Sequence, residues 1–272
     1  MIDARSSEMN EYLLKHAIDV IYGTYGDRVS VDAKMKDLLK YGRNPSVTTS
    51  KATIWYTGKY LANEVYVGDN VNSIDSISSN NTGDTEVVRI EGHTMTGGNK
   101  TFVVQTVTLT GQTRAPLTTP LNRCTRVAHN DESSTNLVGE IYVYENTALS
   151  SGKPSDNSKI HLTVEAGFNQ SEKASTSLSS TDYWIVTNFR CSLLSKATGA
   201  FADVALEIRR SGGVFRQIED ITCSSSHNGS FDFNPYIIVP KNSDVRLVGI
   251  SDAAGGRDIT GSIQGYLAKI IS

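Results

Sequence analysis

Five histidines, His16, His93, His129, His161 and His227, are the first residues in this chain that could bind a metal or move a proton. None stands in an HxH or HExxH spacing, and no carboxylate lies at an interval that would complete a ligand set. The run His129-Asn130-Asp131-Glu132 carries cation-binding side chains, but it reads more simply as a solvated turn. Asp69, Asp75 and Asp84 do not follow the alternating oxygen pattern of a calcium loop. A serine nucleophile would call for a GxSxG elbow, which the chain lacks. Gly97-Gly98 and Gly255-Gly256 lack the sequence setting of a phosphate loop. Paired acids for glycoside hydrolysis pair in space, and the sequence nominates no pair. The expectation is a protein that is not an enzyme and takes no cofactor or metal.

Charge points away from two partner classes. The formal net charge is −3, and acids and bases are scattered without a long run of either sign. Nucleic acid or an anionic membrane surface would select a clustered positive field, so neither is expected as a partner. Arg190, Arg209, Arg210 and Arg216 are close in sequence, but Arg209 and Arg210 would point to opposite faces of a strand. Strand arginines of this kind most often sit in ion pairs. Cys124, Cys191 and Cys223 are odd in number and widely spaced, without CxxC. Reduced, buried thiols are the simpler reading, and a disulfide between two of them stays open. The first ten residues lack the basic and apolar regions of a secretory signal. No stretch reaches the roughly 18–20 apolar residues of a membrane span. The expectation is a soluble protein made in a cytoplasm.

Whatever these residues do must be positioned by strands. Val204, Leu206 and Ile208 alternate with Ala205, Glu207 and Arg209, the period of a strand with one buried face. Ser211-Gly212-Gly213 supplies a turn, and Val214, Phe215 and Ile218 resume the apolar pattern. Pro240 to Asp244 separates Tyr236–Val239 from a strand at Val245–Val248. Ser262–Ile271 alternates again. Upstream, Glu64–Val67, Ser73–Ser78, Glu86–Gly92, Lys100–Leu109, Arg123–Ala128 and Val138–Tyr144 are strand-like and separated by Gly/Asn turns. Lys159–Glu165 and Tyr183–Leu194 continue the pattern after a Ser/Gly/Pro-rich boundary over 148–158. With the closing block, these give about seven or eight strands in the later unit, the count of a jelly-roll or immunoglobulin-like sandwich.

The N-terminal region differs. Met9, Tyr12, Leu13, His16, Ala17, Val20 and Ile21 fall three and four apart behind Ser6-Ser7, which predicts a helix. A second helix is expected over Asp32–Tyr41, with Met35, Leu38 and Leu39 on one face and Gly42 past its end. Two such helices either dock on their own body or reach a neighbouring subunit. Gly42 to Ser50 then reads as a polar connector into Ile54-Trp55-Tyr56, where the aromatics most simply plug a hydrophobic hole. The expected fold is mainly β: a helical arm and connector over 1–60, and two antiparallel β-sandwich units over 61–150 and 151–272.

The run Tyr41-Gly42-Arg43-Asn44-Pro45, followed ten residues on by Ile54-Trp55, resembles the "GRNP…IW" connector of virion structural proteins of marine and environmental tailed bacteriophages. A late strand pair at Ala202–Gly213, then Gly213-Val214-Phe215-Arg216 and the turn Val239-Pro240-Lys241-Asn242-Ser243-Asp244-Val245, extends the likeness over most of the chain. It departs from the family in its longer N-terminal region and at Tyr56-Thr57-Gly58-Lys59, where the family is richer in glycine. The resemblance implies a structural subunit of the virion, foremost a capsid-surface cement or decoration protein forming a homo-oligomer such as a trimer, with a neck or tail component as the second reading. Partners would be further copies of the chain and other virion proteins, such as the major capsid protein or tail subunits. Interface candidates are Met9, Tyr12, Leu13, Val20, Arg43, Trp55 and Tyr56. A carbohydrate- or receptor-binding module is the alternative from another class, with Tyr56, Phe231 or Tyr236 touching ligand.

Overall fold

The computed structural model describes residues 34–68, 70–130, 135–194 and 198–269. The helix expected near the N-terminus, with Met9, Tyr12, Leu13 and Val20, lies outside the described residues. Among the described residues the regular structure is almost all antiparallel strand. In order these are β1 (Lys34–Val47), β2 (Ala52–Thr53), β3 (Ile74–Ser79), β4 (Val87–Thr96), β5 (Asn99–Thr108) and β6 (Ala115–Leu121). There follow β7 (Arg123–His129), β8 (Ile141–Glu145), β9 (Leu149–Ser150), β10 (Lys153–Pro154), β11 (Ile160–Val164) and β12 (Ser175–Ser177). The last are β13 (Asp182–Leu193), β14 (Phe201–Arg210), β15 (Arg216–Ser224), β16 (Gly229–Val239), β17 (Ser243–Ser251) and β18 (Arg257–Lys269).

Four principal sheets enclose two cores. Sheets ordered β11-β8-β3-β6 and β5-β4-β7 bury Ile74, Ile77, Val88, Ile90, Leu121, Val143 and Leu162 between them. Sheets ordered β1-β18-β13-β16 and β12-β17-β14-β15, the latter with β2 against β17, bury Val47, Ile54, Trp184, Phe189, Leu206, Val245 and Ile263. Alternation explains the faces. Along β13, Trp184, Val186, Phe189, Cys191 and Leu193 all enter the second core, with a register shift between Val186 and Asn188 that keeps both halves facing inward. Gly97 (φ +58°) and Gly98 (φ +78°) form the β4–β5 turn, where positive φ favours glycine.

The second expected helix is not formed. Residues from Lys34 onward, and the supposed connector as far as Val47, make one long strand paired with β18 from Lys34↔Lys269 to Asn44↔Ile259. Met35, Leu38 and Leu39 have helical spacing, but long-range pairing overrides so weak a local preference. Leu38 packs on the second core and Leu39 points outward. The register slips between Asn44 and Val47, around Pro45, which has no amide hydrogen for the ladder. Gly42 is required there: a Cβ at this position would run into the Ala174 amide and the Ile54 carbonyl.

Two further departures have local causes. Glu64–Val67 forms no strand, because Glu64 and Tyr66 turn inward to a buried polar cluster. Ala115–Leu121 is a strand that the sequence does not announce, because Pro116 and Pro120 interrupt it. It ends its sheet, the place where missing amide donors are tolerated. The strand at Ile160–Val164, read with the later unit, pairs with β8 and contributes Leu162 and Val164 to the first core.

Candidate functional site

Among the described residues, a cluster of buried charges lies at the seam between the two cores. Asp244 is the second residue of β17, two places after Asn242, which turns the chain at φ +60°. Its Oδ1 accepts from Lys100 Nζ at 2.5 Å and from Ser177 Oγ at 2.5 Å, and its Oδ2 accepts from Arg209 Nε at 2.8 Å. Arg123 Nε stands 3.6 Å from Oδ1. Lys100 and Asp244 are 0% and 1% exposed. Burial alone would push the Asp244 carboxyl up, but Lys100, Arg123 and Arg209 outweigh it and hold the group at about 2.

The seam is continuous with a second buried pair. Glu64 faces Lys173 at 2.5 Å and accepts from the Ser175 hydroxyl at 2.8 Å and the Tyr66 hydroxyl at 2.9 Å. Lys173 also donates to the Cys124 carbonyl at 2.7 Å. Tyr66 lies under the Arg209 guanidinium (4.0 Å) with Arg123 at 4.8 Å, and Arg246 stacks on Phe215 at 3.8 Å. Lys100, Arg123 and Cys124 come from the first sandwich, Asp244 and Arg209 from the second, so the charges join the two bodies. Backbone joins them too: the Lys100 amide donates to Asn242 Oδ1, and the Ser180 amide to the Lys100 carbonyl. Each of these side chains is engaged with another at the seam, so the buried charges tie the two bodies together.

Beside the seam a groove of about 560 Å³ runs past Lys36, Phe102, Ser179, Thr181, Asp182 and Leu267. It continues into a smaller recess of about 150 Å³ lined by Lys40, Glu91, His93 and Thr125. Burial, then the charge of Lys100, lowers His93 to about 3, so its imidazole is neutral. Burial likewise lowers Lys40 to about 8, against the opposing pull of Glu91. Large hydrophobics stand exposed on the strands that end their sheets beside this groove. They are Leu39 (62%) and Tyr41 (45%) on β1, and Phe102 (48%) and Val104 (46%) on β5.

The interface candidates from the sequence separate. Arg43 forms a fork on Asp258, with Nε and Nη2 donating at 3.1 and 2.8 Å, and Nη1 reaches Glu165 at 2.9 Å. Trp55 is buried, with Lys173 Nζ 5.6 Å from its ring. Tyr56 is buried in a knot around Glu140, donating to Oε1 at 3.1 Å beside Lys59 at 2.7 Å. Tyr142 donates to the other oxygen at 2.7 Å, and Tyr60 shares it. These bonds, against the cost of burial, hold the Glu140 carboxyl below its usual range. Of the aromatics named for a glycan site, Tyr56 is thus packed away. Phe231 packs against Phe233 at 5.0 Å, and Tyr236 is exposed. Asp84 caps its own turn, accepting from Ser79 and from the amides of Val138 and Gly139. The seam was missed in the sequence because its charged members, Glu64, Lys100, Arg123, Lys173, Arg209 and Asp244, are 23 to 180 residues apart and look like ordinary strand charges; only the turn before Asp244 was legible.

Among the described residues no group of three or more His, Cys, Asp or Glu could hold a metal ion, and no helix is long and apolar enough to cross a membrane. No family model and no curated protein matches the chain. Among solved structures, that of infectious bursal disease virus Gt strain is similar at 9% identity and TM-score 0.23, covering 92% of this chain and 76% of that one. The infectious bursal disease virus VP2 subviral particle is similar at 9% identity and TM-score 0.24, over 93% and 76%. At such scores the likeness carries no argument about this chain.

Proposed function

We propose that the protein is a non-enzymatic structural subunit of a tailed-phage virion, foremost a cement or decoration protein of the capsid surface, acting in several copies. The observation that carries the reading is the long sheet-ending strand β1 with Leu39 and Tyr41 turned outward. A sheet-ending strand and outward hydrophobics together offer a second copy of the chain both backbone pairing and apolar burial. The seam suits the same role, because buried ion pairs between the two sandwiches tie one to the other. The connector likeness around Arg43 adds the virion setting.

Light scattering on the full chain, on a chain beginning at Lys34 and on Leu39→Glu/Tyr41→Glu tests this. A truncation nearer Thr57 would remove β1 and Ile54 from the core and is uninformative. A defined oligomer that the double variant dissolves supports the proposal, and an oligomer lost only with residues 1–33 moves the interface to that segment. A monomer at every concentration that also fails to bind phage heads overturns it. Binding to isolated tails instead of heads moves it to the neck or tail.

A further inference from the structure

Three cysteines are present as free thiols, and the fold sorts them. Cys124 lies in the first core, where burial pushes its thiol up to about 12 and Lys173 donates to its carbonyl. Cys191 and Cys223 both lie in the second core, on opposite sheets: Cys191 on β13 and Cys223 on β15. β13 and β15 pack against each other across the sandwich, and the gap at Gly229 is bounded both by Cys191 Sγ and by the carbonyl of Thr222, the residue before Cys223. Gly229, the register partner of Cys191, leaves the space, since a Cβ there would lie 2.8 Å from Cys191 Sγ.

We propose that Cys191 and Cys223 are a built pair for a cross-sheet disulfide, formed when the folded protein meets a low-molecular-weight disulfide such as oxidised glutathione. Sharing one proton raises Cys191 as the donor and lowers Cys223 as the acceptor, so Cys223 ionises first. Access comes through β15. It ends its sheet, Cys223 is its one fully buried residue, and the turn that follows, Ser225 to Asn228, is exposed. Opening that margin costs far less than opening the centre of the sheet.

The exchange balances. The Cys223 thiolate attacks one sulfur of the glutathione disulfide, forming a mixed disulfide and expelling one glutathione thiolate. Cys191 gives up its proton and attacks the Cys223 sulfur, expelling the second. Two electrons pass to glutathione, and the two cysteine protons end on its two thiols or in water. The bond would tie the margin of one sheet to the interior strand of the other. A bacterial cytoplasm would keep it open and the medium outside a cell would close it.

The test uses the full chain. It is incubated with oxidised or with reduced glutathione, denatured, alkylated with iodoacetamide and mapped by mass spectrometry. The expected result is one alkylated cysteine, Cys124, and a linked peptide joining Cys191 to Cys223, both reversed by dithiothreitol. The thermal midpoint should rise by roughly 5 °C or more over the reduced protein. Three alkylated cysteines after prolonged oxidation overturn the proposal, as does a link through Cys124 or glutathione retained on a single cysteine. Because the readout is wild-type protein, a variant such as Cys191→Ser serves only to confirm the assignment.

Discussion

Lys100 and Asp244, 144 residues apart in the chain, form an ion pair 2.5 Å long that excludes solvent on both sides. Among the described residues Asp244 is the one anion paired with Lys100, Arg123 and Arg209, and the consequences of removing either partner differ. Asp244→Ala leaves the buried Lys100 and Arg123 and the partly buried Arg209 without their anion and should cost on the order of 3–5 kcal/mol. Lys100→Met, an apolar side chain of similar length, leaves Asp244 with two arginines and should cost clearly less. Denaturant midpoints compare them directly; equal losses, or a larger loss for Lys100→Met, would show that Asp244 is not the hub.

His93 should make the fold sensitive to mild acid. Its imidazole titrates at about 3 when folded, against roughly 6.5 in an open chain. Between those values the unfolded chain takes a proton that the folded one refuses, so stability falls as pH falls through that window. Asp244 acts in a different window. Its folded value is depressed, so its contribution is intact above the ordinary carboxylate range and is lost only towards pH 2. Going from pH 7 to pH 5, a His93→Asn variant should lose about 2 kcal/mol less than the natural chain. The same loss in both would remove His93 from the explanation.

Gly42 tests whether the GRNP motif is a structural element of β1. A methyl group there meets the Ala174 amide and the Ile54 carbonyl, both backbone atoms. Gly42→Ala should therefore destabilise by about 1–3 kcal/mol, the usual cost of overpacking, whereas Gly68→Ala, in open space, should change little. Circular dichroism melts of the two variants make the comparison.

Trp55 and Arg43 separate packing from assembly. Trp55→Ala empties a buried site and should cost about 3–5 kcal/mol in the isolated protein. Arg43→Lys keeps the charge but gives up the fork on Asp258, so a smaller loss is expected. If Trp55→Ala melts like the natural chain yet fails to assemble, its importance lies at a partner surface instead.

The strands were legible where one face is buried and the other is wet. Val204, Leu206 and Ile208 gave themselves away by alternation, and the turns at Gly97-Gly98 and Asn242 by their residue types. The β1 segment was not legible, because Met35, Leu38 and Leu39 satisfy a helical spacing and its true partner, β18, is more than 200 residues away. Pro116 and Pro120 concealed β6 for the opposite reason: they are tolerated only because that strand ends its sheet. The candidate site was hidden by its nature. Lys100, Arg123, Lys173 and Asp244 are the kind of charges that normally face water, and only the meeting of two sandwiches buries them.

The pairing of Lys34 with Lys269 also sets an order of events on the ribosome. Everything the sandwich of Ile74–Val164 needs is contiguous, so it can close while later residues are still being made. The other sandwich must keep β1 and Ile54 waiting until β18 emerges, about two hundred residues later, a high contact order and a slow closure. During that wait an unpaired 14-residue strand is exposed on a nascent chain. Until then its backbone donors and acceptors are open to pairing with another extended chain.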